Sequence, residues 1–201
     1  SERGKLEVTV RQRMDTLTID ERLRFLSQII EQLAQSVPAI RRTECDRLLE
    51  NARRQFFRRN FSEALQMLDQ LFKFDKKHLQ GHRTRAEMYK AMGNQFAYVC
   101  ELRMICEIET AEAHDFYNLA KVQIENKQDD SAYELMEKAV AKEAQPKYLE
   151  VLGDLAGKLG YWYRAVQAYQ KILKKTPNNV RLKHKLGNAL FENKKEEEAF
   201  N

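Results

Sequence analysis

The sequence predicts an all-α fold: a solenoid of antiparallel helix pairs, with one extra helix ahead of the first pair. Three observations carry this. A small residue recurs at Ala52, Ala86, Ala120, Gly153 and Gly187, in steps of 34, 34, 33 and 34 residues. A second series keeps the same beat twelve residues later, at Ala64, Tyr98, Ala132, Ala165 and Ala199. Only 3 Pro and 7 Gly occur among 201 residues, and charged residues make up 32%, which favours helix over sheet or loop. A period in this range marks one supersecondary unit that is copied and stacked. An apolar content of 43% supplies a continuous core and argues against wholesale disorder.

In residues 1–17, Leu6, Val8 and Val10 alternate among charges, and this stretch reads as an extended or frayed arm. Thr18-Ile19-Asp20-Glu21 then opens a helix, with Thr18 as N-cap and Glu21 closing a capping box. Ile19, Leu23, Leu26, Ile29, Ile30, Leu33 and Val37 follow at helical spacing, and Pro38 is expected to end the helix. The N-terminal helical element is assigned to 18–42 and is expected to pack on the first repeat. The repeats follow over 45–78, 79–112, 113–145 and 146–179, with a partial unit at 180–201. In the first repeat, helix A is expected near 44–58 and helix B near 62–75. The breaks inside later units fall at Gly93-Asn94, at Lys127-Gln128-Asp129 and at Gly160, and Pro177-Asn178-Asn179 closes the fourth. Helix A of the fifth unit is expected to run from 180 to 193.

Two helices of about 12–14 residues with two short turns use roughly 34 residues. Where two helix axes come closest, only a small side chain fits, so Ala and Gly mark the crossings. Larger residues fill the core around them: Leu119, Leu152 and Leu186 on helix A, and Leu68, Leu102, Met136 and Tyr169 on helix B. Tyr98 stands where Ala is expected, so the second unit should be locally splayed or shifted.

The run Leu152-Gly153, Gly160, Ala165, Tyr169, Ile172 and Pro177-Asn178-Asn179, followed by Leu186-Gly187, resembles the tetratricopeptide repeat. The resemblance spans 45–201, is best in the fourth repeat, and is weaker in the first three, which lack the closing Pro. It implies a right-handed superhelix whose A helices line a concave face suited to an extended peptide or a partner helix. It therefore implies a protein–protein interaction scaffold or adaptor without catalytic activity. On the repeat phase the inward-facing candidates for peptide binding are Arg53, Arg83, Tyr117, Lys121, Lys147 and Arg181. Cations of this kind hold carboxylates of an acidic peptide, and Tyr117 packs on its apolar parts. The competing reading is a solvated surface of intramolecular ion pairs. A chaperone-tail carboxylate clamp, known in the family, is disfavoured, because Tyr117 and Val151 stand where Lys and Asn would be needed and Glu87 has the wrong sign.

Charge is uneven. Residues 1–60 hold 13 Lys and Arg against 9 Asp and Glu, most of the net +5. Arg41, Arg42, Arg47, Arg53, Arg54, Arg58 and Arg59, interleaved with Phe56, Phe57 and Phe61, are what nucleic-acid backbones and stacked bases would ask for. An Arg-rich wet helix face is the simpler account, and an RNA-binding helical repeat is the weaker alternative. A regulatory or targeting segment of a larger enzyme or signalling protein remains a further alternative. Tyr161 and Tyr163, on either side of Trp162 in a turn, form a possible second contact patch, with Trp162 packed between helices.

Cys45, Cys100 and Cys106 form no pair motif. The four His are scattered, no phosphate loop or nucleophile elbow occurs, and no metal site or cofactor is expected. No run of 18 apolar residues is present and no signal peptide opens the chain, which makes a cytoplasmic location the expectation. The absence of an initial Met and the short last unit lead to the expectation of a longer parent chain. The flank left open at 180–193 is then expected either to be continued there or to support self-association.

Overall fold

The computed structural model describes residues 17–200, with the side chains of 34–36 and 196–200 outside that description. The expected arm over 1–17, apart from Leu17, and the side chain of Ala199 lie outside the described residues. Among the described residues there are ten helices and no strand. They are α1 Ile19–Ser36, α2 Pro38–Phe57, α3 Phe61–Phe74, α4 Leu79–Ala91, α5 Gln95–Glu107, α6 Ala113–Glu125, α7 Asp129–Lys142, α8 Pro146–Lys158, α9 Trp162–Lys175 and α10 Val180–Phe200. The chain divides into two compact units, Ser1–Gly81 and His82–Asn201, with the division inside α4.

In the first unit, α1 starts as its sequence dictates. The Thr18 backbone N–H donates to Glu21 Oε2 at 2.8 Å, and the Glu21 N–H donates to Thr18 Oγ1 at 3.4 Å. The helix stops at Ser36, and Pro38 is the first residue of α2, not the interior of a segment running to 42. Residues 38–42 therefore belong to the first repeat's helix A, which begins six residues before its expected start at 44. At the first helical position proline lacks only an N–H that would have had no helical partner, and its fixed φ suits the helix. Helix α1 packs on α2, yet Ile19, Leu23, Leu26, Ile30 and Leu33 stay exposed. Helices α2 and α3 cross at Ala52 and Ala64, both fully buried, over Leu48, Leu49, Leu68 and Leu71. Phe56 packs on Phe61 with ring centroids 5.9 Å apart, whereas Phe57 projects into solvent.

In the second unit consecutive helices from α5 to α10 pack on one another in chain order. Ala120, Ala132, Gly153 and Ala165 are buried at the crossings. Around them Phe116, Met136, Tyr148, Leu149, Leu155, Tyr169 and Ile172 form one core, and Leu119 is buried as well. Gly153 lies where a methyl group would meet Tyr169 Cε1 at 2.7 Å, so the crossing of α8 and α9 admits no larger residue. At the Tyr98 position a half-buried ring replaces the methyl, with Lys90 Nζ 5.7 Å from its centroid. A cavity of about 250 Å³ opens beside it, between Arg83, Tyr98, Leu102, Ile105 and Asn118.

A third series, on the same beat, emerges only in the backbone. Arg59, Gly93, Lys127 and Gly160 all have positive φ, at 64°, 71°, 59° and 82°. Each is the left-handed residue that ends a helix A. The N–H after it reaches back five residues, as in Asn94 to Tyr89 and Tyr161 to Ala156, at 2.9 and 2.8 Å, the paired-bond pattern of a Schellman stop. The next position on the beat, Lys194, is helical. Helix α10 runs unbroken to Phe200, correcting the expected stop at 193. Asn193-Lys194-Lys195-Glu196-Glu197-Glu198 offers no Gly or Pro, and its Lys and Glu residues favour continued helix.

Candidate functional site

The A helices that lie wholly in the second unit are α6, α8 and α10, preceded by the C-terminal part of α4. Their facing side chains are linked at a spacing of about one repeat, and this determines which candidates remain available to a ligand.

Arg83 forms a fork with Asp115: Nε to Oδ1 at 2.9 Å and Nη2 to Oδ2 at 2.6 Å. Asp115 is buried and also accepts the Glu112 backbone N–H at 2.8 Å, which closes a capping box on α6. The hydrogen bonds to Asp115 hold the Arg83 guanidinium above its ordinary pKa. Arg83 is thus a structural cation joining α4 to α6. Arg181 pairs with Glu150 across from α10 to α8. Beside it Lys185 Nζ donates to Glu150 Oε1 at 3.0 Å and to both oxygens of Asp154 at 2.6 and 2.7 Å. Burial lowers the Lys185 pKa, but its hydrogen bonds to Asp154 and Glu150 outweigh that and leave it raised. Asp154 Oδ1 also accepts the Tyr169 hydroxyl at 2.7 Å. Burial, reinforced by this bond, pushes the Tyr169 phenol up. Arg53 belongs to the first unit, where it donates to Gln80 Oε1 at 3.3 Å.

Of the remaining three candidates, Tyr117 and Lys147 come together. Tyr117 packs on Tyr148 with ring centroids 5.2 Å apart. Lys147 Nζ stands 5.6 Å from the Tyr117 centroid and 4.6 Å from that of Tyr148. Lys121 follows Tyr117 by one helical turn, on the same side of α6, and is exposed. Neither Lys121 nor Lys147 forms an ion pair among the described residues. Lys147 is thus a cation over an aromatic pair, and Lys121 an exposed cation one turn along the same helix as Tyr117.

Sequence reasoning missed Asp115 and Tyr148, and although the repeat phase placed Glu150 and Asp154 on the inward face and Lys185 beside them, it did not pair them with Arg181 and with each other. The missed signal is a spacing: Arg83 to Asp115 is 32 residues, and Glu150 to Arg181 and Asp154 to Lys185 are each 31. It also missed a buried cluster in which His82 Nδ1 lies 2.7 Å from Glu101 Oε2 and Arg85 Nη2 lies 2.8 Å from Glu101 Oε1.

Tyr161 and Tyr163 lie apart from the A-helix group, at the start of α9, and both are exposed. Trp162 packs over Gly157 of α8, as expected. Among the described residues, no group of three or more His, Cys, Asp or Glu is placed to hold a metal ion, and no helix is long and apolar enough to cross a membrane.

Paired helices packed in chain order, small residues at the crossings Ala52/Ala64, Ala120/Ala132 and Gly153/Ala165, and left-handed stops at Arg59, Gly93, Lys127 and Gly160 mark a tetratricopeptide-repeat fold, and solved structures agree. The chain is similar to YrrB, described as a TPR protein with an unusual peptide-binding site: TM-score 0.59, 13% identity, 85% of this chain and 84% of that one. It is similar to MamA at TM-score 0.57 and 17% identity, over 78% of this chain and 86% of that one. It is also similar to PilF of Pseudomonas aeruginosa at TM-score 0.51 and 17% identity, over 77% of this chain and 71% of that one. No protein-family model matches the sequence, and no curated protein does.

Proposed function

We propose that this chain is a protein-interaction module that takes an extended, acidic segment of a partner protein on the A-helix surface of its second unit. The observation that carries the reading is Lys147 over the tilted Tyr117–Tyr148 ring pair, with the exposed Lys121 one turn along from Tyr117 and neither lysine in an ion pair among the described residues. Charge-assisted hydrogen bonds to carboxylates are about twice as strong as neutral ones. An aromatic floor beside them adds apolar contact without ordering long side chains. The helix pairs hold this surface in place before binding, which lowers the ordering penalty on the receptor side. The peptide-binding site named for YrrB belongs to the same fold and makes a peptide ligand a natural expectation here. The reading assigns no catalytic step to the chain. Arg83 and Arg181 support the surface in this account, since each has an internal partner.

The test is a fluorescence-polarisation screen of acidic peptides, each carrying one aromatic or leucine residue, against the chain and its Lys121→Glu/Lys147→Glu variant. Saturable binding of a subset, lost in the variant, supports the reading. Equal binding by both proteins, or no saturable binding at all, overturns it.

A further inference from the structure

A second cleft lies away from the A-helix surface, where the start of α9 meets α7. It has a volume of about 540 Å³, within the range of clefts that enclose a side chain or small ligand. Its walls are aromatic. Tyr133 on α7 packs edge-on against Tyr161, with centroids 5.3 Å apart. Tyr161 and Tyr163 leave 47% and 62% of their surface open, a large aromatic exposure for two residues separated only by Trp162. The rim is acidic. Asp130, Glu134 and Glu137 all border the cleft, with Arg164 the one basic residue there. Glu137 is oriented by the Tyr133 hydroxyl, which donates to its Oε1 at 3.1 Å. The N-terminus of α9 adds about half a positive charge. Three carboxylates still outweigh that and Arg164 together. This negative pocket belongs to a chain whose net charge is +5.

We infer that this cleft binds an arginine side chain presented by a partner protein, as a second site independent of the acidic-peptide surface. Charge complementarity selects a cation. The aromatic walls favour guanidinium over ammonium, because its weakly hydrated plane stacks on rings while its N–H groups fork onto carboxylates. In the bound state the guanidinium lies against Tyr161 or Tyr163 and donates to Glu134 and Glu137. The two sites have opposite charge preferences, so one partner segment with acidic and basic stretches, or two partners, can be held at once.

The probe is a short glycine/serine peptide carrying two arginines, with its citrulline counterpart as the neutral isostere. Both are titrated into the whole chain at low ionic strength. The readouts are the fluorescence of Trp162, the single tryptophan, and amide shifts by NMR. The expected result is a saturable response to the arginine peptide, with shifts centred on Tyr133, Tyr161 and Tyr163 and no response to citrulline. Glu134→Gln/Glu137→Gln should weaken binding about tenfold or more, equivalent to about 1.4 kcal/mol. Tyr161→Ala/Tyr163→Ala should weaken it independently, while Lys121→Glu/Lys147→Glu should leave it intact. All these positions except half-buried or buried neighbours are surface sites, and circular dichroism verifies that each variant is folded. Equal binding of citrulline, full affinity in the glutamine variant, or no saturable response would overturn the assignment. Self-association of the free chain, abolished by the same glutamine pair, would also overturn it, because the occupant would then be a second copy.

Discussion

Replacing Gly153 with alanine and Gly187 with alanine makes the same chemical change at successive positions of one repeat series, with opposite expected results. At Gly153 the added methyl lies 2.7 Å from Tyr169 Cε1, 3.0 Å from Cζ and 3.2 Å from Cδ1. Optimal carbon–carbon contact is about 3.5–4.0 Å, so the ring must move by close to an ångström. Tyr169 is buried, and its hydroxyl is held by Asp154. Overpacking of this kind costs about 1–3 kcal/mol, offset by about 1 kcal/mol for exchanging Gly for Ala within a helix. A net loss of up to about 2 kcal/mol follows. At Gly187 nothing lies within 4 Å of the new methyl, so only the gain of about 1 kcal/mol remains. The two variants should therefore differ by the overpacking cost alone, about 1–3 kcal/mol. Urea unfolding followed by Trp162 fluorescence reports on the second unit, and the midpoints should move in opposite directions at unchanged slope. Adding Tyr169→Leu to Gly153→Ala should recover part of the loss, a coupling visible in a double-mutant cycle. Equal stabilisation by both alanines would refute the claim that the beat of small residues records helix crossing.

Lys127→Gly should stabilise the second unit by about 0.5–1 kcal/mol and Gly160→Ala should destabilise it by about 1 kcal/mol, because both positions have positive φ, where a side chain is strained; thermal melts check both. Asp115→Ala removes the partner of a mostly buried Arg83 and a cap of α6 together. It should cost about 2–4 kcal/mol, with a correspondingly large drop in melting temperature, whereas Lys121→Ala should change it little. Tyr169 and Lys185 both hold their protons more tightly folded than unfolded. Their contribution is therefore complete below about pH 10 and falls away as pH rises through the higher folded-state values. Melting temperature should drop as pH rises above about 10, and Tyr169→Phe should flatten part of that drop.

The solenoid is legible in the sequence because crossing helices impose a steric rule at single positions, and Ala52, Ala120, Gly153 and Ala165 obey it. The helix stops are half legible. Gly93 and Gly160 announce a left-handed residue, but Arg59 and Lys127 adopt the same conformation without any such sign, since tertiary packing overrides their preference. Pro38 reads equally as a stop and as a start, and only the structure distinguishes the two. The continuation of α10 through Lys194 is invisible to a periodic reading that expects a turn on every beat. At the site, repeat phase places Tyr117, Lys121 and Lys147 among the inward-facing residues, and Lys147 lies over the ring pair that Tyr117 forms with Tyr148. The same phase puts Arg83 and Arg181 in that set, although Asp115 and Glu150 on the adjacent A helices occupy them. Intramolecular pairing depends on the register between neighbouring A helices, which a count along a single helix does not contain.

The most direct test of the account is photocrosslinking. Benzoylphenylalanine is placed at Glu125, an exposed position one turn beyond Lys121 on α6, and separately at Lys138, exposed on α7. Each protein is irradiated with an acidic peptide selected by polarisation. The account predicts a crosslink from position 125 that disappears when Lys147 is changed to Glu, and none from position 138. A crosslink from 138 alone, or one at 125 that survives Lys147→Glu undiminished, would contradict it.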